Sequence, residues 1–168
     1  MPIVNVSAVD NGAKNLAEFL QEVLDRVITC YGSFDMPLPA RRYWTFGPPA
    51  VDCEQLVVSL IQMYVGTPGD EANQPRRCND PRSATLNISV ARIAPISQPN
   101  GAPPSAEDIQ NASEVSAYDA WILMESVNQL DVWGEVGAFG LGVIATVDAE
   151  APEGGFATTR MTITLAIP

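Results

Sequence analysis

Two stretches of the chain carry apolar residues at helical spacing. In the first, Leu16, Phe19, Leu20, Val23, Leu24, Val27 and Ile28 recur at i, i+3, i+4 and i+7, while Glu18, Gln21, Glu22, Asp25 and Arg26 cover the other face. This pattern predicts an amphipathic helix from about Gly12 to Cys30. Gly32 suits the left-handed residue that closes a helix, and residues 1–10 read as extended or loosely ordered. The second stretch runs from Ser105 to Asp131, with Ser105 at the N-cap and Asp108 completing a capping-box variant. Ile109, Ala112, Ala120, Leu123, Val127 and Leu130 share one stripe, and Gln110, Glu114, Asp119, Glu125 and Asn128 are expected to face elsewhere. Trp121, Ile122 and Met124 widen the apolar surface, which suggests contact on two sides, with the Trp and Met read as core. Gly134 and Gly137 are expected to end this helix.

Other segments change to strand patterning. Arg41 to Phe46 reads as a short strand stopped by Gly47-Pro48-Pro49, its aromatics turned into the core and its arginines paired with acids. Leu56 to Val65 is nearly all apolar, which suits a strand buried on both faces. Thr85 to Ile93 alternates, with Leu86, Ile88 and Val90 on one side, and is expected to pair antiparallel with 56–65. Gly142 to Asp148 and Phe156 to Ile167 form a last hairpin around the turn at 150–155. Met161, Ile163, Leu165 and Ile167 alternate there with Arg160, Thr162, Thr164 and Ala166, the cleanest period-two signal in the chain.

The order helix, short strand, hairpin, helix, hairpin predicts one α+β domain over residues 1–168. Its expected form is an antiparallel sheet of four to five strands with two main helices packed on one face. The opposite sheet face is then either solvated or covered by another copy, and the threonines at 158, 159, 162 and 164 fit either.

Composition narrows the chemistry. Twenty acids against nine bases give a net charge of −11, which does not suit gripping nucleic-acid phosphates over the whole surface. Histidine is absent, which removes His-based triads, His general bases and most zinc sites. No phosphate-binding glycine loop, dinucleotide fingerprint or CxxC pair occurs, and the carboxylate pairs lie where capping and solubility explain them. No enzyme, cofactor or metal is therefore expected. Cys30, Cys53 and Cys78 stand at unrelated spacings and read as free thiols of a reducing compartment. No apolar run is long enough for a bilayer, and the N-terminal stretch does not read as a signal peptide, so no membrane association is expected. The basic residues cluster once, at Arg76, Arg77 and Arg82, on the long polar loop 66–83.

In element order and pattern the chain resembles the tail-terminator proteins of long-tailed, siphovirus-type bacteriophages, particularly those of actinobacterial hosts. The resemblance is carried by NLAEFLQEVLDRVI, CEQLVVSLIQMYVGTPGD, TLNISVARI, DAWILMESVNQLD and TTRMTITLAI, which together span most of the sequence. None of these is a catalytic signature.

The resemblance implies a structural virion protein, made in the host cytoplasm and located at the junction of tail and neck. It implies a ring, typically a homohexamer, that caps the tail tube, ends its polymerisation and joins the tail to the head connector. The implied partners are further copies of the chain, the major tail-tube protein and a head-tail connector or stopper protein. Six copies would carry roughly −66 charges around a lumen, so that DNA slides through without specific binding. For ring contacts the candidates are Arg76, Arg77 and Arg82, reaching acids on a neighbour. The exposed side of the last hairpin near Glu153 and Arg160 is the second candidate, for meeting tube or connector. The rival readings are another neck component, such as a head-completion or stopper protein, and a small-molecule-binding or enzymatic domain using the Trp121 and Trp133 region.

Overall fold

The computed structural model describes residues 6–69, 82–97, 101–128 and 144–167. Two helices and five strands follow in the order α1 (Val6–Ser33), β1 (Arg41–Phe46), β2 (Gln55–Val65), β3 (Arg82–Ile93), α2 (Ala106–Asn128), β4 (Ile144–Ala149) and β5 (Phe156–Ile167). The class is α+β, and the strands form one sheet in the order β1-β2-β3-β5-β4. All neighbours are antiparallel except β1 and β2, which run parallel with Arg41 beside Gln55 and Phe46 beside Leu60. The sheet is mostly antiparallel, as expected, with the edge strand β1 its one parallel member.

Alternation along the central strands builds the core. Leu56, Val58 and Leu60 of β2, Leu86, Ile88 and Val90 of β3, and Met161, Ile163 and Leu165 of β5 form one buried cluster with Leu20, Val23, Leu24 and Val27 of α1 and Ile122 and Leu123 of α2. Both helices thus cover the same face. Helix α1 lies over β1 and β2, and α2 lies over β3, β5 and β4, with the helices touching along the middle. Burying each of these large aliphatic side chains is worth about 1.5–3 kcal/mol, so this shared layer is the main source of stability.

The other face is polar. Thr85 meets Thr164 at 3.2 Å, and Thr162 donates to Asn87 Oδ1 at 3.0 Å. Parallel pairing of β1 and β2 requires the chain to cross a sheet face between them, and residues 47–54 do so on this polar side. Ala50 accepts a hydrogen bond from Gln55 Nε2 at 2.7 Å, and Pro48, Pro49 and Val51 line a groove with Asn87, Ser89 and Arg160.

Several expectations change at the ends of elements. Helix α1 begins at Val6, so residues 6–10 are helical and not extended. Gly12 costs about 1 kcal/mol inside a helix, a local penalty that a helix of 28 residues tolerates. It ends at Ser33, and Gly32 is not the left-handed residue: Asp35 is, at φ 52°. Met36 N donates to Tyr31 O at 3.2 Å and Asp35 N to Gly32 O at 3.3 Å, the pair of bonds of a Schellman closure with Asp35 at C′.

Strand β2 is buried on both faces only over its first half. Its register shifts between Leu60 and Gln62, and beyond that bulge Ile61, Met63 and Val65 are exposed. Helix α2 has the expected capping box: Asp108 N donates to Ser105 Oγ at 3.0 Å, and Ser105 N to Asp108 Oδ2 at 3.3 Å. Gly134 and Gly137, expected to end it, lie outside the described residues. The last strand spans Phe156–Ile167 as the alternation predicts.

Candidate functional site

The sequence places Asp119 on the solvent side of α2; it is fully buried. Its carboxylate is met on both oxygens by Arg92 of β3, Nε donating to Oδ2 at 3.0 Å and Nη2 to Oδ1 at 2.9 Å. Tyr31, in the last turn of α1, donates its hydroxyl to Oδ1 at 2.7 Å, and Arg92 Nη2 also reaches the carbonyl of Pro37 at 2.9 Å. Three elements and the α1–β1 connection are thereby tied at one point. Burial opposes the charge on Arg92, but the hydrogen bonds and charge of Asp119 outweigh it and raise the guanidinium pKa. Burial, followed by the neighbouring carboxylate, holds the Tyr31 phenol far above its ordinary range. This cluster is a positioning device: it fixes α2 against α1 and the sheet, and so sets where the outer side of α2 lies.

That outer side is apolar. Trp121 is 62% exposed and Tyr118 49%, with Met124 also open to solvent. Trp121 and Met124, expected in the core, are surface residues instead, because Asp119, Ile122, Leu123 and Ser126 occupy the inward positions. Glu114 precedes Tyr118 by one turn and half-buried Glu125 follows Trp121 by one turn, Glu107 lies in the first turn, and α2 contains no basic residue. Exposed apolar side chains grouped on one side of a helix with charged neighbours are characteristic of a contact surface.

The opposite flank of the same layer is the β1 edge. Trp44 packs against the core and donates Nε1 to Gln21 Oε1 of α1 at 3.1 Å, while Phe46 stands edge-on to it at 6.1 Å and is 62% exposed. Arg42 precedes them in the same row. It is exposed and among the described residues has no ion-pair partner. Arg41, on the other face, is paired with Asp52 at 2.6 Å and lies over the Tyr43 ring. The arginine-aromatic strand thus divides by face, one arginine paired as expected and the other open.

The polar sheet face holds a groove of about 50 Å³ lined by Gln55, Asn87, Ser89, Thr158, Glu150 and Arg160 among others. Drug-sized ligands occupy roughly 300–1,000 Å³, so this groove accommodates ordered water and little more. Arg160 is half-buried there and its ion-pair partner is Glu150. Glu153 is exposed at the turn, where its backbone pairs with Phe156. Arg82 is exposed at the start of β3, while Arg76 and Arg77 lie outside the described residues, as does Trp133. The structure therefore brings Arg160 and Glu150 together and leaves Arg82 and Glu153 on the surface.

Cys30 and Cys53 are free thiols, and Cys78 lies outside the described residues. Burial, then the charge of Glu125, raises the Cys30 pKa. Among the described residues no group of three or more His, Cys, Asp or Glu side chains is arranged to hold a metal ion, and no helix is long and apolar enough to cross a membrane.

No protein-family model matches the chain, and a search of curated proteins finds no match.

Proposed function

We propose that this protein is a ring-forming structural subunit of a long-tailed phage, a tail terminator that caps the tube and joins it to the head connector. The observation that carries the reading is the exposed Tyr118–Trp121–Met124 surface on a helix fixed from inside by the Arg92–Asp119 pair. Contiguous exposed apolar residues beside charged ones mark contact surfaces, and a ring subunit buries such a surface against a neighbour. The element order on which the family resemblance rests is the order of the folded chain. The net charge of −11 supports a lumen that DNA crosses without being held.

Within this reading, Arg82 and the Glu153 turn are open to partners, and the Arg160–Glu150 pair stiffens the hairpin that carries that turn. The test is to add the purified protein to polymerising tail-tube protein and measure tube length and tube ends by electron microscopy. Tubes that stop growing with one end closed by a ring are the expected result, and Arg82→Glu is expected to weaken the capping. Unchanged tube growth would remove the reading. Binding to a portal-proximal partner without any effect on tubes would assign the protein to another position in the neck.

A further inference from the structure

The two flanks of the helical layer differ in a complementary way. At one edge, Arg42, without an ion-pair partner among the described residues, stands in a row with Trp44 and the exposed Phe46. The outer side of α2 presents Trp121, Tyr118 and Met124, with Glu114 one turn before Tyr118, Glu125 one turn after Trp121 and no base on the helix. The sheet order puts β1 at one end and β4 at the other, with α1 over the first and α2 over the second, so α1 lies between the β1 edge and α2 in the helical layer. Both are aromatic, and they carry opposite charge.

We propose that a second copy of this chain is the occupant of the α2 surface, and that it docks through its β1 edge: Arg42 reaches the α2 glutamates, and Phe46 packs beside Trp121. Such a contact is heterologous. The surfaces on the two copies differ, so an open series of copies keeps one free patch of each kind at its ends, and closure into a ring fills both. The proposal deepens the ring reading by naming its subunit contact, and it rests on that reading only for the closure. Interface energy concentrates on buried Trp and Arg, so Trp121 and Arg42 are the residues expected to matter most.

The experiment uses full-length chains and native mass spectrometry over a concentration series. Wild type is expected to assemble, while Arg42→Glu and Trp121→Glu each raise the concentration for half-assembly by tenfold or more. Both sites are exposed, so circular dichroism and thermal melting are expected to match wild type. The decisive step is to mix the two variants. Arg42→Glu retains an intact α2 surface and Trp121→Glu an intact β1 edge, so the mixture is expected to give a one-to-one heterodimer that goes no further.

A wild-type chain that stays monomeric at every attainable concentration, alone and with tail-tube protein, overturns the proposal. So does assembly indifferent to both variants, or a mixture that forms no heterodimer. Outcomes for the tail are separable. Assembly through these surfaces with no effect on tail tubes keeps the contact and removes the terminator reading; tube capping insensitive to both variants does the reverse.

Discussion

Arg92 and Asp119 form a two-point ion pair in the interior, with side-chain exposures of 12% and 0%. Removing one partner leaves the other charge buried and unmatched, which costs about 3–5 kcal/mol. Asp119→Ala is therefore expected to lower the melting temperature by about 10 °C in differential scanning calorimetry. Replacing the whole cluster by apolar residues, as Arg92→Met with Asp119→Leu and Tyr31→Phe, is expected to recover most of that loss. A single variant as stable as wild type would show that the pair is not what holds α2.

Tyr31 gives this cluster an alkaline limit. Its folded pKa lies above the unfolded value of 10.0, so above pH 10 the unfolded chain loses a proton that the folded chain keeps. Stability is full below that pH and falls as pH rises, by up to about 1.4 kcal/mol per pH unit for this one group. Cys30, raised from 9.0, adds a decline of the same sign from a lower pH. Urea midpoints measured from pH 8 to 11.5 are expected to fall, and Tyr31→Phe to flatten the part above pH 10. An equally steep decline in that variant would place its cause elsewhere.

Asp35 occupies a left-handed conformation at the C-terminal closure of α1. Glycine adopts that conformation without the side-chain clash. Asp35→Gly is expected to raise stability by about 0.5–1 kcal/mol, visible as a higher denaturation midpoint at unchanged slope.

The Ser105–Asp108 box satisfies amides that the first turn of α2 cannot pair internally. Ser105→Ala is expected to cost about 1 kcal/mol, and Ser105→Thr to retain most of the stability. Faster amide exchange confined to the first turn of α2 would locate the effect; exchange equal to wild type would contradict it.

Much of this fold was legible because local pattern and burial agree. Met161, Ile163 and Leu165 alternate into the core as their spacing predicts, and the Ser105 box starts α2. What the pattern missed are relations between distant elements. Alternation does not encode strand direction, so the parallel pairing of β1 with β2 left no trace in RRYWTF. Hydropathy turns Asp119 outward and Trp121 inward, the reverse of the structure, because the partner that neutralises Asp119 lies 27 residues earlier, on another element. One signal was available: Asp119 lies three and four residues before Ile122 and Leu123, on their side of the helix. The surface candidates were legible only as charge, and the aromatic surface of α2 became visible only once the inward positions were known to be filled.

The most direct test of the ring is the absolute mass of the purified protein across a concentration series, alone and with tail-tube protein. The account predicts a discrete species at six times the 18.0 kDa chain mass, formed alone or on addition of tube protein. A chain that remains at 18.0 kDa throughout and ignores tube protein would contradict it.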